Sequence, residues 1–198
     1  MPVTVERSRA IPVAPGDAFT RTLPMPLPTL FRHWYGPIPP IKEVRDQRGE
    51  WSSVGETRTI ALAGGGTMRE TLTEVVPGHK FEYTITDITG PMAPLIDQID
   101  GAWIFDPAGT GTRVTWRWVL HAKSALSAPA LPVFARVWRG YANGALETLS
   151  DYLVGCARPS GRPISRARTA SSSRALVSAE SSPPPSSSAM RPSRFRMV

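Results

Sequence analysis

The three histidines are the first residues to test for metal or acid–base chemistry. His33, His79 and His121 do not have the i, i+4 spacing with which two histidines on one helix bind a metal, and no H-E-x-x-H motif is present. Cys156 is the only cysteine, which excludes an all-cysteine metal site and an intrachain disulfide. The sequence therefore predicts no metal site.

Motifs of nucleophilic or nucleotide chemistry are also missing. There is no G-x-S-x-G motif, which places a nucleophilic serine at a turn between a strand and a helix. The run AGGGT at residues 63–67 lacks the Lys-Ser/Thr of a phosphate-binding loop and lies between two strand patterns, so it predicts a hairpin turn. The catalytic residues, if there are any, stay unknown, and we predict no cofactor.

The positive charge of the chain is confined to its C-terminal end. The net charge is +7, but residues 1–155 contain 15 Lys and Arg against 15 Asp and Glu. Residues 156–198 contain 8 Arg against one Glu, with 12 Ser and 6 Pro. Such a composition buries too little apolar area to offset the entropy cost of folding. We predict a folded domain over residues 1–155 and a disordered, basic, Ser/Pro/Arg-rich tail over residues 156–198.

This charge distribution bears on possible partners. The arginines of the tail either stay solvated or contact nucleic acid, anionic lipid or an acidic partner. The domain is neutral, whereas proteins that stack single-stranded bases on aromatic rings also need a positive groove. We therefore expect no specific nucleic-acid binding by the domain. The N-terminus does not resemble a signal peptide, and the apolar run SALSAPALPVFA is shorter than the ~20 residues that span a bilayer. We expect no membrane span and a cytoplasmic location.

The pattern of strands and helices predicts an α+β domain. A strand pattern over residues 3–13 is followed by two short helices, PGDAFTRTL and PTLFRHW, which prolines separate. Strand patterns follow at residues 41–47, 55–63, 68–76 and 80–88, with a further short one near Trp51. The hairpin GAWIFDPAGTGTRVTWRWVLHAK comes next. One long amphipathic helix then ends near Gly155, with a face formed by Phe134, Trp138, Tyr141, Ala142, Ala145, Leu149 and Tyr152.

The hairpin raises the question of what its tryptophans face. Alternate side chains of a strand point to opposite sides of a sheet, so Trp116 and Trp118 share one side with Val114 and Leu120. One turn register pairs Phe105 with Val114 and Trp103 with Trp116, which groups the rings; a slip of one residue would separate them. With Trp138 and Tyr141 of the helix, these rings form either a packed core or a cavity wall.

The order of these segments resembles the SRPBCC superfamily, the START-like and birch-pollen-allergen-like group, and within it the bacterial polyketide cyclase/dehydrase-like proteins. The resemblance covers residues 3–153 and is carried by VAPGDAFTRTL, LFRHWYGPIPPIKEV, RETLTEVVPGHKFEYTI and GAWIFDPAGTGTRVTWRWVL. It implies a helix-grip fold, in which about seven antiparallel strands curve around the C-terminal helix. It also implies a cavity for a hydrophobic molecule between sheet and helix.

Within such a cavity, a few polar groups would accompany the aromatic residues. Tyr83, Tyr141 and Glu70 are candidates, although an exposed position is the more common one for a strand carboxylate. His33 could reach the mouth of the cavity. The residues predicted to bind ligand are Trp34, Glu70, Tyr83, Trp103, Trp116, Trp118, Trp138 and Tyr141.

Three functions are compatible with this sequence. The first is the binding of a hydrophobic small molecule, such as a lipid, a polyketide or an aromatic compound, by a monomer or homodimer. The second is a cyclase or dehydratase that folds a polyketide-like substrate and uses a buried acid or base. The third is a protein-interaction module. A buried carboxylate or histidine bonded to a second polar group would favour the enzyme, and isolated hydroxyls would favour the binder.

Overall fold

The computed structural model describes residues 1–157, so the predicted tail lies outside the described residues from residue 158 onward. Seven strands and three α-helices make up this part of the chain. They are β1 (Val3–Ile11), α1 (Pro15–Thr22), α2 (Leu27–Leu30), β2 (Ile41–Arg45), β3 (Thr57–Leu62), β4 (Thr67–Val76), β5 (Lys80–Thr86), β6 (Ile96–Ala108), β7 (Gly111–Ala122) and α3 (Leu131–Ala157). The predicted α+β helix-grip fold is confirmed.

The seven strands form one antiparallel sheet in the order β1-β7-β6-β5-β4-β3-β2. From β2 to β7 each strand pairs with the next one in the chain, and β1 pairs with β7. The helices α1 and α2 lie in the connection between the two edge strands. Because only the outer edges of β1 and β2 are unpaired, the seven strands can place alternate side chains on the inner face in a continuous array.

The register of the β6–β7 hairpin is the one that groups the aromatic rings. Trp103 lies opposite Trp116, and Phe105 lies opposite Val114. The side chains of Val114, Trp116, Trp118 and Leu120 are all buried, as the alternation of the sequence predicts. This register is favoured because a slip of one residue would turn these rings toward water.

The helix α3 packs its apolar face against the inner side of the sheet. Six of the seven residues predicted for this face are buried, and Tyr152 is half-buried. The helix does not end at Gly155, as predicted, but continues to Ala157. Gly155 has no positive φ, so it does not adopt the left-handed conformation with which a glycine ends a helix.

Three other predicted boundaries are wrong. The second short helix ends at Leu30 instead of continuing to Trp34, because the backbone of Phe31 leaves the helical conformation at φ −113°, ψ 56°. The strand β6 begins at Ile96, before the predicted hairpin, with an irregularity between Ile96 and Gln98. No strand forms at Trp51, whose φ is +57°.

Candidate functional site

A cavity lies between the inner face of the sheet and the helices α1, α2 and α3. The centre of a water molecule can occupy about 70 Å³ of this cavity. Leucine, isoleucine and methionine side chains from the segment after α1, from α2 and from the strands β2 to β5 form a large part of its lining. The walls lie a further water radius outward, so the space suits a compact ligand.

Aromatic rings form another part of the cavity wall. Trp103 stacks on Trp116 with ring centroids 5.1 Å apart and an interplanar angle of 9°. Trp118 meets Trp116 edge to face at 5.3 Å, and Phe31 stacks on Tyr141 at 5.5 Å. These contacts fix the rings in preferred aromatic geometries, so the wall is rigid and presents flat apolar surfaces.

Trp138 packs against the tryptophans of this wall. It is fully buried, with its ring 5.0 Å from that of Trp116 and 5.3 Å from that of Trp118. It does not line the cavity, although the sequence predicted it to bind ligand. Tyr141, about one turn later on the same face of α3, lines the cavity instead. Trp138 therefore contributes packing to the site.

The phenol of Tyr83 is held in place by two tryptophans. The indole Nε1 of Trp116 and that of Trp118 each donate a hydrogen bond of 2.8 Å to the Tyr83 hydroxyl. Burial raises the pKa of Tyr83, and the charge of Glu70 acts in the same direction. Tyr83 therefore stays protonated at neutral pH.

A buried ion pair forms the polar part of the lining. Arg58 Nε donates to Glu70 Oε2 at 2.5 Å, and each side chain is only 5% exposed. The guanidinium carbon of Arg58 lies 3.8 Å from the ring centroid of Trp51, a cation–π contact. Burial raises the pKa of Glu70, while the charge and the hydrogen bond of Arg58 oppose that rise. The pair adds a carboxyl group to an otherwise apolar cavity.

Glu70 takes the inward position, and its partner Arg58 was not predicted. The two residues lie opposite each other in the β3–β4 pair. The sequence contains a signal for this position, because Arg58 alternates with Ile60 and Leu62 on β3, and both of these are buried. An arginine on the apolar side of a strand indicates a buried partner of opposite charge.

Trp34 lies outside the cavity, contrary to the prediction. Its side chain is 59% exposed, and its ring lies over Gly64, where a Cβ would come within 2.9 Å of it. The early end of α2 explains this placement, because the backbone after Phe31 turns away from the helical path that would carry Trp34 inward. Six of the eight predicted residues line the cavity: Glu70, Tyr83, Trp103, Trp116, Trp118 and Tyr141.

The histidines lie away from the cavity. His33 and His79 are exposed, and neither lines the cavity. His121 Nε2 lies 2.7 Å from Asp100 Oδ2, on the side of β7 opposite to Trp116 and Trp118. Within residues 1–157, no three metal-ligating side chains come together.

The seven-stranded antiparallel sheet, the long C-terminal helix and the cavity between them define a helix-grip protein. The family described as polyketide cyclase / dehydrase and lipid transport matches residues 2–154. The chain belongs to this family. Together with the cavity, this membership makes the chain a ligand-binding domain. No curated protein matches the sequence significantly.

Solved structures show the same fold at low sequence identity. The crystal structure of Ara h 8.0201 is 14% identical with a TM-score of 0.55, and the match covers 78% of this chain and 99% of that one. A Thermus thermophilus protein is 14% identical at a TM-score of 0.58, with 79% and 100% covered. A Thalictrum norcoclaurine synthase point mutant, in complex with a transition-state analogue, is 13% identical at 0.58, with 80% and 98% covered. These likenesses show the fold.

None of the helices in residues 1–157 is both long enough and apolar enough to cross a membrane.

Proposed function

We propose that the protein binds a hydrophobic small molecule, a lipid, a polyketide or an aromatic compound, in the cavity between the sheet and α3. The observation that carries this proposal is an apolar interior space with a wall of stacked rings. Filling such a space releases water from apolar surface, which is the main favourable contribution to binding of this kind. The stacked indoles favour a ligand with a flat face.

Native mass spectrometry of the purified protein tests this proposal directly, since a co-purified ligand adds its mass to that of the chain. Isothermal titration calorimetry with naphthalene derivatives provides the second measurement, for which we designed two variants. Ile85 lines the cavity and is 2% exposed, so Ile85→Phe fills part of the space. Ile104 is half-buried on the other side of the sheet, and Ile104→Phe is the matched control.

We expect Ile85→Phe to weaken binding at least tenfold and Ile104→Phe to leave the affinity unchanged. Overpacking a core costs about 1–3 kcal/mol, so both variants are first compared with the wild type for thermal stability. Equal affinities of the wild type and Ile85→Phe, with both folded, would place the ligand elsewhere and contradict the proposal.

A second candidate function is a cyclase or dehydratase, and the Arg58–Glu70 pair is the observation that favours it. A buried carboxyl group in a cavity lining, with its pKa raised by burial, can exchange a proton with a bound substrate. The test is incubation with a poly-β-keto substrate, followed by mass spectrometry for a product that has lost water. For an enzyme, Glu70→Gln would retain binding and lose this product, whereas an unchanged yield would exclude Glu70 as the acid or base.

The cytoplasmic location, the monomeric or dimeric state, and the alternative of a protein-interaction module stay predictions of the sequence.

A further inference from the structure

The hydroxyl of Tyr83 can make only one further hydrogen bond, and this bond is available to a ligand. A phenol can donate one hydrogen bond and accept through its oxygen. An indole N–H is only a donor, so Tyr83 is the acceptor in both of its bonds to Trp116 and Trp118, each 2.8 Å long. With the oxygen occupied by two donors, the O–H proton is what remains. It meets no acceptor among residues 1–157.

The backbone of β6 makes this arrangement possible. Tyr83 is on β5 and lies opposite Gly101 of β6, which in turn lies opposite Trp118 of β7. A Cβ on Gly101 would come within 2.1 Å of Tyr83 Cζ, so the phenol lies directly across the glycine. Since no side chain separates β5 from β7 at this point, Tyr83 reaches the indole N–H groups two strands away.

The position of this proton is fixed relative to the cavity. Tyr83, Trp116 and Trp118 all line it, and the two indole hydrogen bonds restrict how the O–H can rotate. The hydroxyl of Tyr141, which also lines the cavity, makes no hydrogen bond within the described chain, and its ring is held by stacking on Phe31. The pKa of Tyr141 is raised by burial, and Tyr83 adds to that rise. The ring of Tyr141 lies 6.1 Å from that of Trp116, whose indole is bonded to Tyr83.

The charges in the cavity lining restrict the ligand further. Arg58 and Glu70 pair with each other at 2.5 Å, so they offer no unpaired charge to a guest. A charged ligand would be desolvated without a counter-ion, which is strongly unfavourable. A ligand that donates a hydrogen bond would find the Tyr83 oxygen already occupied by two donors.

We propose that the ligand is a neutral carbonyl compound with a flat apolar body, and that the Tyr83 hydroxyl donates a hydrogen bond to its carbonyl oxygen. This inference rests on the proposed function, because it assumes that the cavity binds a hydrophobic molecule. Tyr83 is thereby the residue that selects among hydrophobic ligands of equal shape.

Two probes of equal shape test this proposal by calorimetry. They are 2-acetylnaphthalene, a ketone, and 2-isopropenylnaphthalene, in which a CH₂ group replaces the carbonyl oxygen. A net hydrogen bond contributes about 0.5–1.5 kcal/mol, so we expect the wild type to bind the ketone about 3- to 10-fold more tightly. In Tyr83→Phe this ratio is expected to fall, because the hydrogen bond from the Tyr83 hydroxyl is lost.

Tyr83→Phe leaves two buried indole N–H groups without an acceptor, which reduces stability. A measurement on the wild type therefore accompanies the variant. The infrared carbonyl stretch of the bound ketone is expected at lower wavenumber than in hexane, because a donated hydrogen bond weakens the C=O bond. Tyr141→Phe, which removes a hydroxyl without hydrogen bonds in the described chain, is the matched variant and is expected to retain most of the preference for the ketone.

The outcomes separate this inference from the proposed function. Equal binding of both probes by the wild type, or a hexane-like carbonyl stretch, would overturn the inference and leave the proposed function supported. Binding of neither probe would contradict both. A ketone preference that persists in folded Tyr83→Phe but disappears in Tyr141→Phe would assign the donor to Tyr141 and overturn the role of Tyr83.

Discussion

Replacing the buried Arg58–Glu70 pair with apolar side chains, one at a time and then together, tests the electrostatics of the cavity. The variants are Glu70→Leu, Arg58→Met and the double variant. Each wild-type side chain is 5% exposed, so water cannot solvate the charge that a single substitution leaves behind. Leucine and methionine approximate the volumes of the residues they replace, which keeps the packing change small.

The expected energies follow from this burial. Removing one partner of a buried ion pair costs about 3–5 kcal/mol, because the other charge stays buried without compensation. The loss in Arg58→Met is expected at the low end of this range, since protonation of Glu70 would remove its uncompensated charge. The double variant leaves no charge and loses mainly the contact of Arg58 with Trp51 at 3.8 Å, which is worth about 1–2 kcal/mol. The double variant is therefore more stable than either single variant.

Urea unfolding followed by far-UV circular dichroism measures these free energies, with the slope m checked for constancy across the four proteins. Asp97→Asn is the control, because its ion pair with Lys123 has both side chains 56% exposed and exposed pairs contribute little. A loss below about 1 kcal/mol in Glu70→Leu would show that water reaches the pair. Additive losses in the double variant would show that the two charges are not coupled.

Three further outcomes are expected. In Arg58→Met, the pKa of Glu70 rises further above its ordinary value of 4.5. The free energy of unfolding should therefore be highest at low pH and fall as the pH rises through the folded-state pKa of Glu70. A free energy of unfolding in urea that does not change with pH would contradict this. Trp138→Ala should lose about 3–5 kcal/mol and Trp138→Phe clearly less, because the buried Nε1 has no partner in the described chain. Gly101→Ala should displace Tyr83 and reduce the ketone preference in calorimetry; an unchanged preference would contradict this placement.

The strands of the sheet could be predicted from the sequence because each is defined by residues that are neighbours along the chain. The alternation of Trp116 and Trp118 with polar residues identifies the inner face of β7. The short Gly-rich turn then allows few registers, and the one that buries the rings is present. The apolar face of α3 follows from the 3.6-residue period in the same way.

The candidate site was predicted less completely, because it depends on contacts between distant segments. The position of Trp34 follows from the end of α2 at Leu30, which no residue of the sequence marks. The contact of Tyr83 with Gly101 depends on the β5–β6 register, and the chain between these strands is too irregular to reveal it. Arg58 is different, since its alternation with Ile60 was a readable signal that we did not use.

The tryptophan cluster has a consequence for how the protein absorbs and emits light. The rings of Trp103, Trp118 and Trp138 each lie 5.0–5.3 Å from that of Trp116. At such separations their excited states couple, so an excitation absorbed by one indole is shared by all four. A ligand that contacts Trp103, Trp116 or Trp118 in the cavity would change the emission of the whole group. The intrinsic tryptophan fluorescence of the domain therefore reports whether the cavity is occupied.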